Sequence, residues 1–299
     1  MSKSAKKWLI AAASLVTIGA ILFAAVMTAY HWDFSRLSTD NFETNTYEIS
    51  EEFSDIKFNT ETADILFATS SDGTCRVVCY EKENVKHSVL VQDGTLTVNV
   101  VDDRAWNEHI GINYQPPKLT VYLPKTEYAS IVIKASTGDI ELPNEMKVDS
   151  AVISMSTGDI RIHNMSAGTL DLSASTGEIF VSNVTCTGDL KANTTTGDVN
   201  LMKVTCQNLF STGSTSDISL KNVIATGKFS IERSTGDVVF ESSDAAEIFV
   251  ETSTGDVTGS LLTEKTFVAK TSTGNISVPK TTAGGKCEII TSTGDIMFQ

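Results

Sequence analysis

Carboxylates recur along the second half of the sequence at a spacing that could bind cations or cleave glycosidic bonds. Each one ends a short string such as Ser-Thr-Gly-Asp, and successive strings lie 19 or 20 residues apart. Ca²⁺ takes oxygen ligands of this kind. We therefore treat the acidic positions as a candidate cation ladder, which consists of Asp139, Asp159, Glu178, Asp198, Asp217, Asp237, Asp256 and Asp295, with Asn275 in the remaining string.

The same strings also have a purely conformational explanation. Ser, Thr and Asp side chains bond to nearby backbone groups in turns, and Gly supplies a positive φ. The glycine-rich nonapeptide of calcium-binding β-rolls is absent, and Asn275 interrupts the ladder. We therefore expect turn formation with diffuse counterion screening, and Ca²⁺ is the one cofactor that stays open.

A polysaccharide-active enzyme is the less favoured reading of the ladder. Carboxylates on adjacent or alternate rungs would lie about 5 or 10 Å apart, which brackets the two glycosidase geometries. Catalysis needs two carboxylates in unlike environments, however, and equivalent turns supply alike ones. The sequence has no GxSxG or HExxH motif, and Glu108 and His109 near Asp102 and Asp103 fit a solvated loop. No catalytic residue is predicted.

The five cysteines do not show a metal-binding pattern in the sequence. Cys75 and Cys79 are four residues apart, and no histidine lies close to either of them along the chain. Cys186 and Cys206 occupy equivalent positions one rung apart, so their Cα atoms would lie about 4.8 Å apart, which permits a disulfide. Alanine at the same position in other rungs favours two small buried thiols instead.

The elements that position these residues are short strands on either side of each turn. Apolar residues fall three and five positions before the first Ser or Thr, and again directly after the acidic residue. Period two on both sides of a turn indicates two strands, and the return of the same turn indicates parallel coiling. Residues 131–299 are therefore predicted to form nine rungs of an all-β, right-handed parallel β-solenoid.

Residues 47–130 are predicted to be divergent rungs of the same β-solenoid. Thr62, Ala63 and Asp64 form a degenerate copy of the turn before Ile65. Residues 102–118 have no periodicity and end in two prolines, so we expect an irregular loop there.

An apolar segment near the N-terminus is predicted to be a transmembrane helix. Residues Trp8 to Tyr30 contain no charge, and 23 residues suffice to cross a hydrocarbon layer of about 30 Å. Lysines in residues 1–7 predict a cytoplasmic tail, and residues 31–46 follow as an extracytoplasmic linker. The alternative, a cleaved signal peptide, fits less well because the apolar run is too long and Met27 stands where a small residue is expected.

The charge distribution restricts the partners of the external part. The formal net charge is −14, and all 37 acidic residues follow the apolar segment. We therefore do not expect this acidic part to bind nucleic acid or anionic lipid surfaces. Cations, basic proteins and neutral glycans remain possible partners. The sequence stops directly after a strand, so we expect Ile296 and Phe298 to form an exposed edge that a partner or a second copy covers.

Several segments together resemble a family of bacterial envelope proteins. They are TADILF from Thr62, KLTVYLPKTEYASIVIKASTGDI from Lys118, and the serial STGDI turns. The chain from about Tyr47 to Gln299 resembles the putative adhesin family, a domain of unknown function. The resemblance implies a β-solenoid, an envelope location and, in anchored members, association with envelope-stress systems. It implies no catalytic or binding residues.

The function expected from these observations is that of a membrane-anchored cell-envelope module for binding, adhesion or scaffolding, without catalysis. The partner would be a protein or a glycan on the cell surface. An accessory role in envelope-stress signalling is the main alternative. Adhesion itself comes from the resemblance, because the residues indicate only a long, acidic, hydroxyl-rich rod.

Overall fold

A computed structural model describes residues 3–33, 41–102 and 116–299, and contains one helix followed by a single sheet of 22 strands. Helix α1 spans Lys3–Ala29. The strands that precede the regular repeat are β1 Phe42–Ile49, β2 Asp55–Thr62, β3 Asp64–Thr69, β4 Cys75–Lys82, β5 Val85–Gln92, β6 Thr95–Asp102 and β7 Lys118–Leu123. Most of the predicted loop at 102–118, with Asp103, Glu108 and His109, lies outside the described residues.

The regular repeat begins at β8 and continues to the last strand. Its strands are β8 Glu127–Thr137, β9 Ile140–Glu141, β10 Lys147–Thr157, β11 Ile160–Thr176, β12 Ile179–Cys186, β13 Leu190–Thr196, β14 Val199–Cys206, β15 Leu209–Thr215, β16 Ile218–Thr235, β17 Val238–Thr254, β18 Val257–Leu261, β19 Lys265–Thr273, β20 Ile276–Ser277, β21 Gly285–Thr293 and β22 Ile296–Phe298.

The rungs stack in parallel, which confirms the predicted all-β solenoid of about nine turns. Strand β10, for example, pairs in parallel with β8 on one side and β11 on the other, so that Ala151 lies opposite Ile131 and Leu170. These three side chains are at most 1% exposed. Each rung therefore buries its apolar side chains against its neighbours, as the period-two pattern predicts.

The turn glycines are required by both conformation and close stacking. Gly158 has φ 128°, and a Cβ there would lie 2.0 Å from the carbonyl oxygen of Gly138 in the adjacent rung. The fifth turn has Ser216 instead. A Cβ on Gly213 would lie 2.1 Å from the Ser216 hydroxyl, so the glycine three residues earlier leaves room for this side chain.

A second corner of the rung uses residues other than glycine in the left-handed conformation. Their φ values lie between 49° and 54°, and the residues are Asn164, Asn183, Lys203, Asn222 and Ser242. Asn tolerates this conformation better than most residues. The sequence indicates only a less regular third stretch here, because the corner is not marked by glycine.

The segment before the repeat differs from the expected series of divergent rungs. Strands β2 and β3 do form a rung, since β2 pairs in parallel with β6 and β8, and β3 with β7 and β9. Strand β4, however, pairs antiparallel with β1 and β7, and β5 pairs antiparallel with β6. The reversal between β5 and β6 has a local cause: Asp93 and Gly94 have φ values of 50° and 74°, which suit a two-residue hairpin.

The expectation of an exposed C-terminal edge is wrong. Strand β22 pairs with β18 on one side and with β20 on the other, so the last rung is inserted between the two rungs that precede it in sequence. Ile296 is fully buried and Phe298 is 5% exposed. Among the described residues the outermost rung is β19–β20, where Ile276 is 46% exposed.

Helix α1 is exposed over most of its length, with Met27 buried near its C-terminal end. Its segment Ala5–Ala29 is long and apolar enough to cross a membrane, and 0% of its most apolar stretch is buried by the rest of the chain. Trp8 is 75% exposed. These properties are consistent with the predicted span over residues 8–30.

Candidate functional site

The predicted carboxylate ladder is formed, and its carboxylates bind backbone groups. In adjacent rungs, one carboxylate oxygen accepts the backbone N–H of the ladder residue in the next rung. The donor and acceptor residues, at 2.7–3.1 Å, are Asp139 and Asp64, Asp159 and Asp139, Glu178 and Asp159, Asp217 and Asp198, Asp237 and Asp217, Asp256 and Asp237, Asp295 and Asp256, and Asn275 and Asp295. The ladder thus has a clear structural role.

Two positions depart from this arrangement. Glu178 accepts a hydrogen bond from the Asn200 amide at 2.7 Å, because its longer side chain reaches a residue two positions beyond the next ladder residue. Arg161 donates to Asp139 Oδ2 at 3.1 Å and to Asp159 Oδ2 at 2.5 Å. The hydrogen bond that Arg161 donates to Asp139 raises the pKa of the Arg161 guanidinium. Apart from such local contacts, the ladder carboxylates share one environment, which gives none of them a distinct acid or base role.

A polar groove runs across several rungs beside the ladder. It has a volume of about 490 Å³. Its outward-facing walls come from the strand position two before the turn and from the first residue of the turn: Ser154, Ser173, Asn193, Thr212, Glu232 and Glu251 on one side, and Ser175, Thr195, Ser214, Ser234 and Ser253 on the other. We name this feature the hydroxyl groove.

Neighbouring rungs preorganise the polar groups of the hydroxyl groove. The backbone N–H and the hydroxyl of Thr212 both donate to Asn193 Oδ1 at 3.0 Å. These contacts fix the orientation of the Asn193 amide between the two rungs. Such a surface can bind a chain of repeating polar units.

Arg233 lies in the floor of the hydroxyl groove and is only 4% exposed. Its Nη2 donates to the Ser211 hydroxyl at 2.8 Å and its Nη1 to the Glu232 carbonyl at 2.9 Å, whereas Nε has no partner among the described residues. Burial lowers the pKa of this guanidinium to about 10. The sequence does mark Arg233 as unusual, because it is a charged residue at an inward position where other rungs have residues such as Met155 or Thr252.

The cysteines are buried thiols in the described part of the chain, which includes all five of them. Cys186 lies opposite Ala167 and Cys206 lies opposite Ala225, so both belong to a column of small inward side chains. Burial raises the pKa of both thiols to about 12. They are therefore protonated and poor nucleophiles near neutral pH.

A buried cluster of Cys79, Glu81 and His87 was missed at the level of sequence. One donor atom from each residue lies within 4.8 Å of the other two, and the three residues are 0%, 0% and 4% exposed. Cys79 and Glu81 share one face of β4 by strand alternation, and the turn between Lys82 and Val85 brings His87 back to them. No histidine lies close to Cys79 along the chain, but the fold brings the His87 side chain next to it.

Comparisons with solved structures support the architecture. A putative adhesin from Parabacteroides distasonis and another from Parabacteroides merdae are each 13% identical, with a TM-score of 0.53. The alignments cover 87% and 86% of this chain, and 98% and 97% of the two structures. At this identity the likeness concerns the fold alone. A search of curated proteins finds no match.

A family model gives the classification. The Toastrack DUF4097 model matches residues 53–209 and 185–299, which together span the solenoid from the first rung to the last residue. Both matches contain the stacked turns and the carboxylate ladder described above. The chain therefore belongs to the Toastrack DUF4097 family.

Proposed function

We propose that this protein is a membrane-anchored module of the bacterial cell envelope that binds a neutral glycan in the hydroxyl groove, without catalysis. The observation that carries the proposal is the groove itself, in which polar side chains from several successive rungs face one volume of about 490 Å³. The partner's repeating units would meet one turn hydroxyl group at each of the rungs that carry Ser175, Thr195, Ser214, Ser234 and Ser253.

Helix α1 serves as the anchor in this proposal. Residues 8–30 cross the membrane, the lysines before them stay in the cytoplasm, and the solenoid lies outside the cell membrane. The length and apolar character of the helix and the basic residues ahead of it support this orientation.

The charge of the groove favours a neutral ligand over a polyanion. Glu232 and Glu251 line it, and the chain as a whole has a formal net charge of −14. Serine, threonine and asparagine side chains both donate and accept hydrogen bonds, which matches the hydroxyl groups of a sugar. Arg233 in the floor adds donors at one rung.

The comparisons support a binding role in a general way. The two solved structures bear names that describe putative adhesins, and a role in adhesion agrees with a polar groove that spans several rungs. The repeated environment of the ladder carboxylates supports binding without turnover, because it separates no acid from a base.

The experiment compares two threonine substitutions in the full-length protein purified in detergent. Thr212→Trp fills the hydroxyl groove, whereas Thr226→Trp places the same side chain at an exposed site that does not line it. Immobilised neutral, acidic and basic polysaccharides are tested for retention of each variant. We expect wild type and Thr226→Trp to be retained by a neutral polysaccharide, and Thr212→Trp to lose at least about tenfold in affinity.

Other results would point elsewhere. Retention that is equal in all three proteins, or absent for every polysaccharide, would contradict a glycan site in the groove. Recovery of one membrane protein with the wild-type chain from intact envelopes, unaffected by Thr212→Trp, would instead favour the accessory role in envelope-stress signalling.

A further inference from the structure

We propose that Cys79, Glu81 and His87 form a metal site for a thiophilic divalent cation, with Zn²⁺ as the best fit. The site lies in the antiparallel strands β4 and β5, and it is separate from the hydroxyl groove and from the carboxylate ladder. Its existence does not depend on the function proposed above.

The donor set is the first argument for this site. A thiol, a carboxylate and an imidazole place donor atoms within 4.8 Å of one another. Cysteine sulfur, histidine nitrogen and carboxylate oxygen are the ligands that Zn²⁺ takes in proteins, usually in tetrahedral arrangement. The three residues provide three of the four ligands, and a soft thiolate selects Zn²⁺ over Mg²⁺ or Ca²⁺.

The burial of the cluster is the second argument. On the inward face of β4, Cys75 and Val77 precede Cys79 and Glu81, and all four are at most 3% exposed. Removing a carboxylate and an imidazole from water is costly, and hydrogen bonds to Glu81 already offset part of this cost without metal. A bound cation would neutralise the Glu81 carboxylate and the Cys79 thiolate together.

The surrounding residues hold the proposed ligands in place. Asn45 Nδ2 donates to Glu81 Oε1 at 2.7 Å, and the Tyr47 hydroxyl donates to the His87 carbonyl at 2.9 Å. The His87 backbone N–H donates to Glu81 Oε2 at 2.7 Å. Outer contacts of this kind orient ligands in metal sites and tune their affinity.

The proton balance of binding follows from the geometry without metal. His87 Nδ1 and Glu81 Oε2 lie 2.7 Å apart, within hydrogen-bonding distance of each other. Burial, reinforced by Glu81, raises the pKa of the Cys79 thiol to about 12. Zn²⁺ binds cysteine as the thiolate, so metal binding would release the thiol proton of Cys79 to solvent, and His87 would have to present a ring nitrogen without a proton to the cation. Affinity must therefore increase with pH.

The test uses full-length protein in detergent, reduced and freed of metal by a chelator, and titrated with Co²⁺ and with Zn²⁺ alone. Co²⁺ reports thiolate ligation and tetrahedral geometry through its absorption. We expect one equivalent of Co²⁺ to give a thiolate charge-transfer band, which Zn²⁺ then abolishes. Cys79→Ser should remove the band, and His87→Gln should weaken binding at least about tenfold.

The control is Cys75→Ser, which alters a buried thiol on the same face of β4 but outside the cluster. It should keep the band. Asn45→Ala, which changes only an outer contact, should weaken binding by about 10-fold to 100-fold and so tests the site even where Cys79→Ser does not fold. A wild-type protein without a band at millimolar Co²⁺, a band that survives Cys79→Ser, or equal loss in Cys75→Ser would each overturn the proposal.

Discussion

The backbone N–H of Asn275 donates to Asp295 Oδ1 at 2.7 Å, although Asn275 comes earlier in the chain. In the other ladder pairs, such as Asp159 with Asp139, the donor follows its acceptor in sequence. The reversal reflects the insertion of the last rung beneath the rung of Asn275. It also places Asn275 at the end of the ladder, where its side chain accepts no backbone N–H from another ladder residue among those described.

Asparagine at position 275 therefore does not show that any ladder carboxylate can be lost without cost, because Asn275 accepts no ladder N–H in the described part of the chain. Asp237 Oδ1 accepts the Asp256 N–H at 2.8 Å, so Asp237→Ala should reduce the free energy of unfolding by about 1 kcal/mol. Asp237→Asn and Asp198→Asn keep an acceptor oxygen and should be nearly neutral. Asn275→Ala is the matched control and should change stability by less than about 0.5 kcal/mol. Denaturant unfolding checks these values, and a loss above about 2 kcal/mol in Asp237→Asn would contradict a simple hydrogen-bonding role.

The insertion of the last rung predicts unequal effects for two isoleucines at the same rung position. Ile296 is fully buried between two rungs, whereas Ile276 in the outermost rung is 46% exposed. Ile296→Ala should therefore reduce the free energy of unfolding by about 3 kcal/mol, and Ile276→Ala by about 1 kcal/mol or less. Unfolding in urea measures both variants. Equal losses of stability, or a larger loss at Ile276, would indicate that the last rungs stack in the order in which they occur in the sequence.

The buried guanidinium of Arg233 predicts a gain in stability on its removal. Arg233→Met keeps the length of the side chain and removes an Nε without a partner, so it should raise the free energy of unfolding by about 1 kcal/mol near neutral pH. Burial lowers the pKa of Arg233 to about 10, so above this pH the folded chain loses the Arg233 proton while the unfolded chain keeps it. Wild-type stability then rises with pH, and the advantage of the variant shrinks.

Urea unfolding at neutral pH and above pH 10 tests this prediction. Arg233→Lys, which keeps a positive charge, serves as the control and should not stabilise the protein. If Arg233→Met is less stable than wild type, or if its stability relative to wild type grows with pH, the buried guanidinium does not destabilise the protein as proposed.

The cysteines are predicted to resist alkylation in the folded protein. Burial raises the thiol pKa of Cys186, Cys206 and Cys287 to about 12, so little thiolate forms at mildly alkaline pH. Mass spectrometry after iodoacetamide treatment should find these thiols unmodified in native protein and fully modified after unfolding in denaturant. A mass two hydrogens lower without reductant would instead reveal a disulfide, for which Cys186 and Cys206 are the expected pair.

The ladder is predicted to respond to Ca²⁺ only as to other counterions. One oxygen of most ladder carboxylates already accepts a backbone N–H, and Arg161 occupies Oδ2 of Asp139 and Asp159. Millimolar CaCl₂ should therefore raise the melting temperature no more than NaCl at equal ionic strength. A specific rise with Ca²⁺ that is lost in the double variant Asp217→Asn with Asp237→Asn would demonstrate a calcium site.

Much of the architecture can be predicted from the sequence because the solenoid depends on local pattern. The string around Gly158 needs a positive φ, and Ile153 and Ile160 on either side must point inward. Each rung repeats this requirement, so the period in the sequence is the period in space. The carboxylate ladder follows for the same reason.

The order of rungs at the two ends required the tertiary structure. Nothing in the string around Asp295 differs from the other strings in a way that marks an insertion. Its place between β18 and β20 depends on long-range contacts on both sides, such as those of Phe298 with Phe240 and Phe267. The same holds for β2 and β3, which lie between β6–β7 and the regular rungs.

The repeat, the parallel stacking, the apolar helix and the family resemblance can all be recognised in the sequence, since each depends on periodicity, composition or motifs within short stretches. The meeting of side chains from distant or reversed segments depends on the tertiary structure. The fold brought His87 to Cys79 through a turn, set Arg233 over the space left by Gly213, and covered Ile296 on both sides. Contacts between rungs depend on the order in which the rungs stack, and this order is a property of the whole fold.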